Sequence, residues 1–321
     1  MSILIVGTVA FDAIETPFGK TDKIVGGAAT YIGLAASFFS KNLNLVSVVG
    51  DDFPKETISV LQKHHIDIKG LQIKKGEKTF FWSGKYHNDM NTRDTIETQL
   101  NVLENFDPIV PEDYQKSEYL MLGNLIPTVQ KRVLEQMKKR PKLIVLDTMN
   151  FWMDHFLEDL KEALKETDVL TINDEEARQL SGEYSLLKAA KAIQEMGPKY
   201  LVIKKGEHGA LLFNKEEMFF VPALPLEEVL DPTGAGDCFA GGFMGYLAST
   251  GDLSDDGFRR AVVLGSVMGS FAVESFSLDR VQSVSEEEVE ERFRLITELT
   301  RFKPLLDRET LPFSDTEHQV N

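Results

Sequence analysis

The sequence is poor in cysteine, in basic clusters and in long apolar runs. Cys238 is the single cysteine among 321 residues, which excludes an internal disulfide framework and a multi-cysteine zinc site. The formal net charge is -16 and Lys and Arg are scattered, so neither nucleic acid nor an anionic membrane is expected as a partner. The apolar run at residues 3–6 is far shorter than the roughly 20 residues that span a bilayer. We therefore expect a cytoplasmic protein.

Strand-like and helix-like segments alternate along most of the chain. The strand-like runs, apolar throughout as in strands buried on both faces, lie at residues 3–6, 43–49, 119–122, 143–146, 169–172 and 200–203. This alternation predicts an α/β fold with a mostly parallel central sheet. After residue 231 the pattern is almost wholly helical. Residues 303–321 are polar with no periodicity, which predicts a mobile tail.

A β-prone stretch at residues 79–87 interrupts this alternation. It predicts either a small accessory sheet that covers a cleft or an edge hairpin. Its aromatic residues either pack in the structure or offer a stacking face to a base or sugar, and they are Phe80, Phe81, Trp82 and Tyr86. The polar cluster that follows supplies Asn88, Asn91 and Arg93 as candidate substrate contacts.

The strongest local signal is the run Asp231-Pro-Thr-Gly-Ala-Gly-Asp237. Gly234 and Gly236 leave the backbone amides around Ala235 unobstructed where an apolar helix begins, and such a helix N-terminus binds anions. Asp237 alone could be a simple helix cap. Together, however, the amides can hold a transferring phosphoryl group while the carboxylate deprotonates an attacking hydroxyl. The run therefore predicts a phosphotransferase with Asp237 as general base.

Two other phosphate-binding motifs do not fit the sequence. A Walker A loop ending in Gly19-Lys20-Thr21 would need glycine at position 14, which is Ile14. In a Rossmann fingerprint that begins at Gly234, Phe239 would stand where the third glycine belongs.

The run from Asp231 to Gly242 resembles the C-terminal signature of the PfkB family of carbohydrate kinases, the ribokinase-like group. Further landmarks of that family occur in order over roughly residues 3–300. The resemblance implies a three-layer ribokinase-like sandwich at residues 1–302, with a β lid inserted at about 13–24 and 71–95. It also implies ATP and Mg²⁺, and transfer of the γ-phosphate of ATP to a hydroxyl of a small sugar-like acceptor.

On the acceptor side, the resemblance concerns two short motifs near the N-terminus. Asp12 is similar to the aspartate with which the family binds sugar hydroxyls. Gly26 and Gly27 are similar to its paired glycines, which allow the backbone to approach a ligand closely. Tyr31 stands where many members carry asparagine, so the acceptor can differ from ribose.

On the nucleotide side, Asn173 and Glu176 resemble the family's Asn-x-x-Glu motif, which places Mg²⁺ and phosphates largely through water. The same pair is also an ordinary acidic helix start. Lys204, Gly206 and Gly209 resemble a loop that borders the phosphates. Lys204 replaces the common threonine, so its contact with phosphate would be a charged one.

The family signature also assigns positions close to the adenine and to a cation. The resemblance implies that Thr233, Gly236, Ser266 and Ser270 contribute to the ATP pocket. It further implies that Asp231 borders the potassium site found in many members.

Several alternatives remain open on the sequence alone. Family members phosphorylate sugars, sugar phosphates, inositols or nucleosides on one scaffold, and residues 271–274 resemble nucleoside-kinase members more closely. A catalytically silent metabolite-binding relative and a phosphate-releasing hydrolase are alternatives of other classes. An unpaired strand edge in the lid predicts a homodimer formed through the lids.

Overall fold

The computed structural model describes residues 1–302, and the predicted tail at 303–321 lies outside them. In chain order, the strands are β1 (Ile3–Val6), β2 (Ala10–Thr16), β3 (Gly19–Lys20), β4 (Ile24–Gly26), β5 (Leu43–Gly50), β6 (Ile66–Lys74), β7 (Phe81–Tyr86), β8 (Arg93–Gln99), β9 (Tyr119–Leu122), β10 (Leu143–Asp147), β11 (Val169–Asn173), β12 (Tyr200–Lys204), β13 (Ala210–Phe213) and β14 (Met218–Val221).

The α-helices occupy most of the segments between strands and nearly all of the chain after residue 234. In chain order, they are α1 (Ala28–Ser37), α2 (Lys55–Lys63), α3 (Pro127–Gln136), α4 (Asn150–His155), α5 (Leu157–Lys165), α6 (Asp174–Ser181), α7 (Leu186–Glu195), α8 (Ala235–Thr250), α9 (Asp255–Ala272), α10 (Asp279–Ser283) and α11 (Glu286–Leu299).

A nine-stranded sheet forms the centre of the fold, in the order β14-β13-β12-β11-β10-β9-β1-β5-β6. The seven strands from β12 to β6 in that order pair in parallel, and β13 and β14 are added antiparallel at one edge. The mostly parallel sheet predicted from the apolar runs is therefore confirmed. Because the parallel strands share one direction, their carboxyl ends meet at one edge, where ligands of open α/β sheets bind.

Both faces of this sheet are covered by helices, which makes three layers. In β1, Ile3 and Ile5 contribute to the core beneath α1, α8 and α9, whereas Leu4 and Val6 face the core beneath α3, α5, α6 and α7. This explains why the run has no polar alternation. Gly241 allows α8 to approach α1 closely, since a Cβ there would lie 2.5 Å from the Ile32 carbonyl oxygen.

The small sheet has the order β3-β2-β7-β8, with β4 also paired to β2. It lies on the segments where the β lid was expected, and we refer to it as the lid. Its bounds differ from the expected ones, because residues 71–74 belong to β6 of the large sheet and β2 begins at Ala10. The pairing of β2 with β7 is parallel, although more than sixty residues separate them.

The helical segment that follows β10 is broken in two. The segment 154–165 is divided between α4 and α5, because Phe156 adopts φ -138° and ψ 34°. In residues 1–302, no helix has the length and apolarity needed to cross a membrane.

Candidate active site

The first turn of α8 lies at the carboxyl edge of the large sheet, on the floor of a cleft. Gly234 precedes the helix with φ +79°, a conformation that disfavours other residues. The ring of Tyr31 lies beneath it, and a Cβ at Gly234 would be 2.5 Å from the Tyr31 Cζ. Tyr31, expected to contact the acceptor, is 1% exposed, so its ring supports this turn.

Asp237 stands in this first turn and is half-buried in the cleft. Burial, together with the nearby carboxylate of Asp147, raises the pKa of its carboxyl to about 7, while Lys204 and Arg93 oppose the shift. A carboxyl with a pKa near neutrality can accept a proton at physiological pH and is a strong enough base to remove it from a hydroxyl. The geometry and the electrostatics therefore suit a general base.

Lys204, at the end of β12, lies beside this turn and forms a largely buried ion pair. Its Nζ is 2.7 Å from Oδ2 of Asp147, and the two side chains are 16% and 7% exposed. Thr171 Oγ1 donates a hydrogen bond of 2.8 Å to the same oxygen. A Cβ at Gly236 would lie 3.0 Å from the Lys204 Nζ, so the ammonium group borders the amides of the turn.

Asn173 and Glu176 form a capping box at the start of α6. Asn173 Oδ1 accepts from the Glu176 amide and Glu176 Oε2 accepts from the Asn173 amide, both at 2.8 Å. Burial raises the pKa of the Glu176 carboxyl to about 7. Its other oxygen makes no hydrogen bond within the described residues and is free to bind water. This arrangement fits a magnesium ion held through water better than one held by protein ligands alone.

In residues 1–302, no group of three or more His, Cys, Asp or Glu side chains is placed to hold a metal ion by itself. A Mg²⁺ ion at Asn173 and Glu176 would therefore take its remaining ligands from water and from nucleotide phosphates, as this ion commonly does.

At the other end of the cleft, Asp12 on β2 is 5% exposed and lies behind the paired glycines. A Cβ at Gly26 would clash with its carboxylate, and Gly27 adopts φ +94° as α1 begins. Burial, together with the charges of Asp231 and Asp237, raises the pKa of Asp12 to about 8. Asp12 is thus a buried carboxyl group that faces the same space as Asp237.

Asp231 is fully buried beside the lid. Its Oδ1 accepts from the Thr233 amide at 2.9 Å, and its buried Oδ2 has no hydrogen-bond partner within residues 1–302. Burial raises its pKa to about 6. Thr233 Oγ1 bonds to the Tyr86 hydroxyl at 3.2 Å, which joins the turn before α8 to strand β7 of the lid.

Alternate residues of the segment 80–86 in the lid face the cleft. Phe80, Trp82 and Tyr86 line the cleft, whereas Phe81 packs against the core. Asn91, expected to contact the acceptor, lines the cleft and lies against the loop at Gly206, since a Cβ at Gly206 would clash with its amide. The tip of the lid therefore reaches across the cleft to that loop.

Arg93, at the start of β8, also lines the cleft. Its positive charge lies close enough to Asp237 and Glu176 to oppose the rise in the pKa of both carboxyl groups. Arg93 was expected near the acceptor, and this placement puts its charge near Asp237.

The remaining nucleotide-side residues also line the cleft, which has a volume of about 1570 Å³. Gly206 and Gly209 adopt φ +54° and +83°. Ser266 faces the cleft from α9, but the Ser270 hydroxyl is engaged by Val267 and Arg292. Because pockets for single small ligands are typically about 300–1,000 Å³, this cleft has room for a nucleotide and an acceptor together.

Sequence reasoning missed Asp147 and Asn124, which line the cleft. Asp147 ends a fully buried strand, and a carboxylate at the end of such a strand was an available signal. Asn124 accepts from the Trp152 indole at 2.6 Å, a contact that the sequence does not reveal.

A parallel sheet, an anion-binding helix start beside a buried lysine and a base, and a β lid together define a ribokinase-like phosphotransferase. Residues 2–282 match the model of the pfkB family carbohydrate kinases, and the chain belongs to that family. The resemblance inferred from the motifs is thus confirmed, and so is an ATP-dependent phosphotransferase activity. ATP and Mg²⁺ are typical of ribokinase-family kinases.

Named relatives and solved structures agree with this assignment. A cytidine kinase of Thermococcus kodakarensis is 31% identical over 253 residues, which cover 77% of this chain and 88% of the relative. The nucleoside kinase of Methanocaldococcus jannaschii aligns with a TM-score of 0.72 at 22% identity, covering 92% of this chain and 99% of that one. A ribokinase II-like protein of E. coli in complex with ATP and Mg²⁺ aligns with a TM-score of 0.75 at 20% identity, covering 92% and 99%.

Proposed function

We propose that the acceptor is a nucleoside, phosphorylated on a hydroxyl of its sugar. The observation that supports this is the two-part lining of the acceptor end of the cleft. Asp12 offers a carboxyl group to sugar hydroxyls, and the lid residues Phe80 and Trp82 offer flat apolar faces to a base. The similarity to a cytidine kinase points the same way.

In the proposed reaction, Asp12 orients the acceptor and Asp237 removes the proton from its hydroxyl. The oxygen then forms a bond to the γ-phosphorus as the bond from that phosphorus to the bridging oxygen of ADP breaks. The amides of Ala235 and Gly236 receive the charge of the transferring phosphoryl group. The products are the phosphorylated acceptor, ADP and the proton held by Asp237. A magnesium ion held through water by Asn173 and Glu176 would neutralise phosphate charge.

A monovalent cation beside Asp231 is a further part of the proposal. The buried Oδ2 of Asp231 lacks a partner within the described chain, and an unpaired buried carboxylate oxygen is costly unless a cation or water satisfies it. Potassium activation would appear as a higher rate in KCl than in tetramethylammonium chloride at equal ionic strength. Equal rates in the two salts would indicate that water, and not potassium, satisfies Oδ2 of Asp231.

A homodimer through the lids is proposed on the exposure of the outer lid strand. Most of β8 is exposed, and Ile96 on it is 64% exposed. An unpaired strand edge with an exposed apolar side chain is usually covered. Sedimentation of the wild type and of Ile96→Glu tests this, and a wild-type monomer at micromolar concentration would contradict it.

The acceptor is tested by acceptor-dependent ADP release with ATP and Mg²⁺, over a panel of nucleosides, sugars, sugar phosphates and inositols. The Asp237→Asn protein is the control. Turnover of a nucleoside that is lost in the control supports the proposal, and turnover only with a free sugar or an inositol contradicts the acceptor assigned here. ATP binding without turnover would indicate a silent relative, and phosphate release without an acceptor would indicate a hydrolase.

A further inference from the structure

The Lys204 ammonium group has surroundings that a simple phosphate contact does not require. The carboxyl groups of Asp147, Glu176 and Asp237 all lie close enough to favour its charged form, and Asp147 is bonded to it directly. The group therefore carries a positive charge into a site whose ionisable side chains are mainly carboxyl groups.

The same ammonium group lies at the N-terminus of α8, next to Gly236. The positive end of a helix dipole repels a cation, and burial disfavours it further. Lys204 stays there because Asp147 holds it, and Asp147 is itself fixed by the hydroxyl of Thr171. An anion is the natural partner for the exposed side of a cation placed among helix amides.

We propose that Asp147 is a positioning residue that holds Lys204 as a built-in cation at the point of phosphate transfer. This rests on the proposed function and extends it. Lys204 supplies charge compensation that a threonine at this position could not, and it does so before any metal ion arrives. The affinity for ATP in the absence of a metal ion should therefore depend on Lys204.

The first test is nucleotide affinity, measured by calorimetry with ATP in EDTA and again with excess Mg²⁺. For Lys204→Thr, we expect the Kd in EDTA to rise about ten- to a hundredfold, as for a lost charge-assisted hydrogen bond. With Mg²⁺ the rise should be smaller, because the metal neutralises the same phosphates. An equal rise in both conditions would overturn the idea of a built-in cation. Lys142→Thr, which removes the lysine of an exposed pair with Glu118, is the matched control.

The second test concerns Asp147 and uses turnover. Asp147→Asn should lower kcat about tenfold while leaving the ATP affinity unchanged or tighter, because it removes a negative charge near the phosphates but releases Lys204. In the Lys204→Thr background, the same substitution should have no further effect on kcat when both are measured at pH 9, where Asp237 is deprotonated whether or not Asp147 raises its pKa. Independent, multiplying effects would show that Asp147 does not act through Lys204.

Removing one partner of a buried pair can destabilise the fold. The double variant Asp147→Asn/Lys204→Thr removes both charges and is compared by thermal unfolding, so that a folded protein without the pair can be measured. A Kd for ATP in EDTA equal to that of Lys204→Thr would support the proposal. A Kd in EDTA equal to that of the wild type would contradict it. If the wild type turns over no acceptor, the proposed function fails, whereas the EDTA measurement still decides the role of Lys204.

Discussion

Neutralising Asp237 should abolish turnover and, at pH 8, stabilise the protein. Its pKa is raised to about 7 in the folded protein by burial and by Asp147. A carboxyl group with a raised pKa favours folding below its unfolded pKa of about 4, and this contribution is lost as the pH rises through 7. At about 1.4 kcal/mol per unit, the three-unit difference gives an upper limit of about 4 kcal/mol. Because neighbouring carboxyl groups share the shift, we expect Asp237→Asn to add roughly 1–3 kcal/mol.

The assay is urea unfolding followed by tryptophan fluorescence at pH 8 and pH 5, together with acceptor-dependent ADP release. At pH 5 the wild-type carboxyl is already protonated in the folded state, so the gain should shrink to less than half its value at pH 8. Asp107→Asn changes an exposed carboxylate and should alter stability little at either pH. Lower stability of Asp237→Asn at pH 8 would refute the reasoning, because attraction to Lys204 would then outweigh burial and repulsion.

Three further outcomes are expected. With Asp237 as base, kcat/KM should fall about tenfold per unit as the pH drops below about 7, and a profile flat to pH 5 would contradict this. Gly206→Ala should raise the KM for ATP several-fold while leaving the secondary structure intact, because the new Cβ displaces Asn91 of the lid tip; an unchanged KM would argue against this contact. Tyr86→Phe removes the bond to Thr233 and should raise the acceptor KM about two- to tenfold, checked by steady-state kinetics against a Tyr184→Phe control.

The central sheet and the first turn of α8 could be predicted because both depend on local patterns. Continuous apolar runs such as Ile3–Val6 indicate strands that are covered on both faces. Gly234 and Gly236, just before Asp237, indicate a helix start whose backbone amides are unobstructed. The edge strands β13 and β14 were not predicted, although both are apolar, because each has only four residues and their antiparallel pairing at the edge beside β12 depends on the fold.

Contacts between distant segments could not be predicted. Asp147 and Lys204 meet because β10, β11 and β12 end at the same edge, and only the strand order places them together. Asn91 could not be assigned to the nucleotide side, because its position depends on the parallel pairing of β2 with β7. Tyr31 was placed near the acceptor by its position in a motif, whereas helix geometry directs its ring beneath Gly234.

The pairing of β2 with the rest of the lid has a consequence for ATP hydrolysis in the absence of an acceptor. Asp12, which is proposed to recognise the acceptor, is carried by the lid strand β2, and the lid tip with Asn91 rests on the loop at Gly206. On the proposed function, the residue that binds the acceptor and the lid tip that contacts the loop at Gly206 therefore belong to one sheet, so acceptor binding would also favour the contact of the tip with that loop. Because water would make fewer contacts with Asp12 than a sugar does, the same proposal implies that ATP hydrolysis without acceptor is slow.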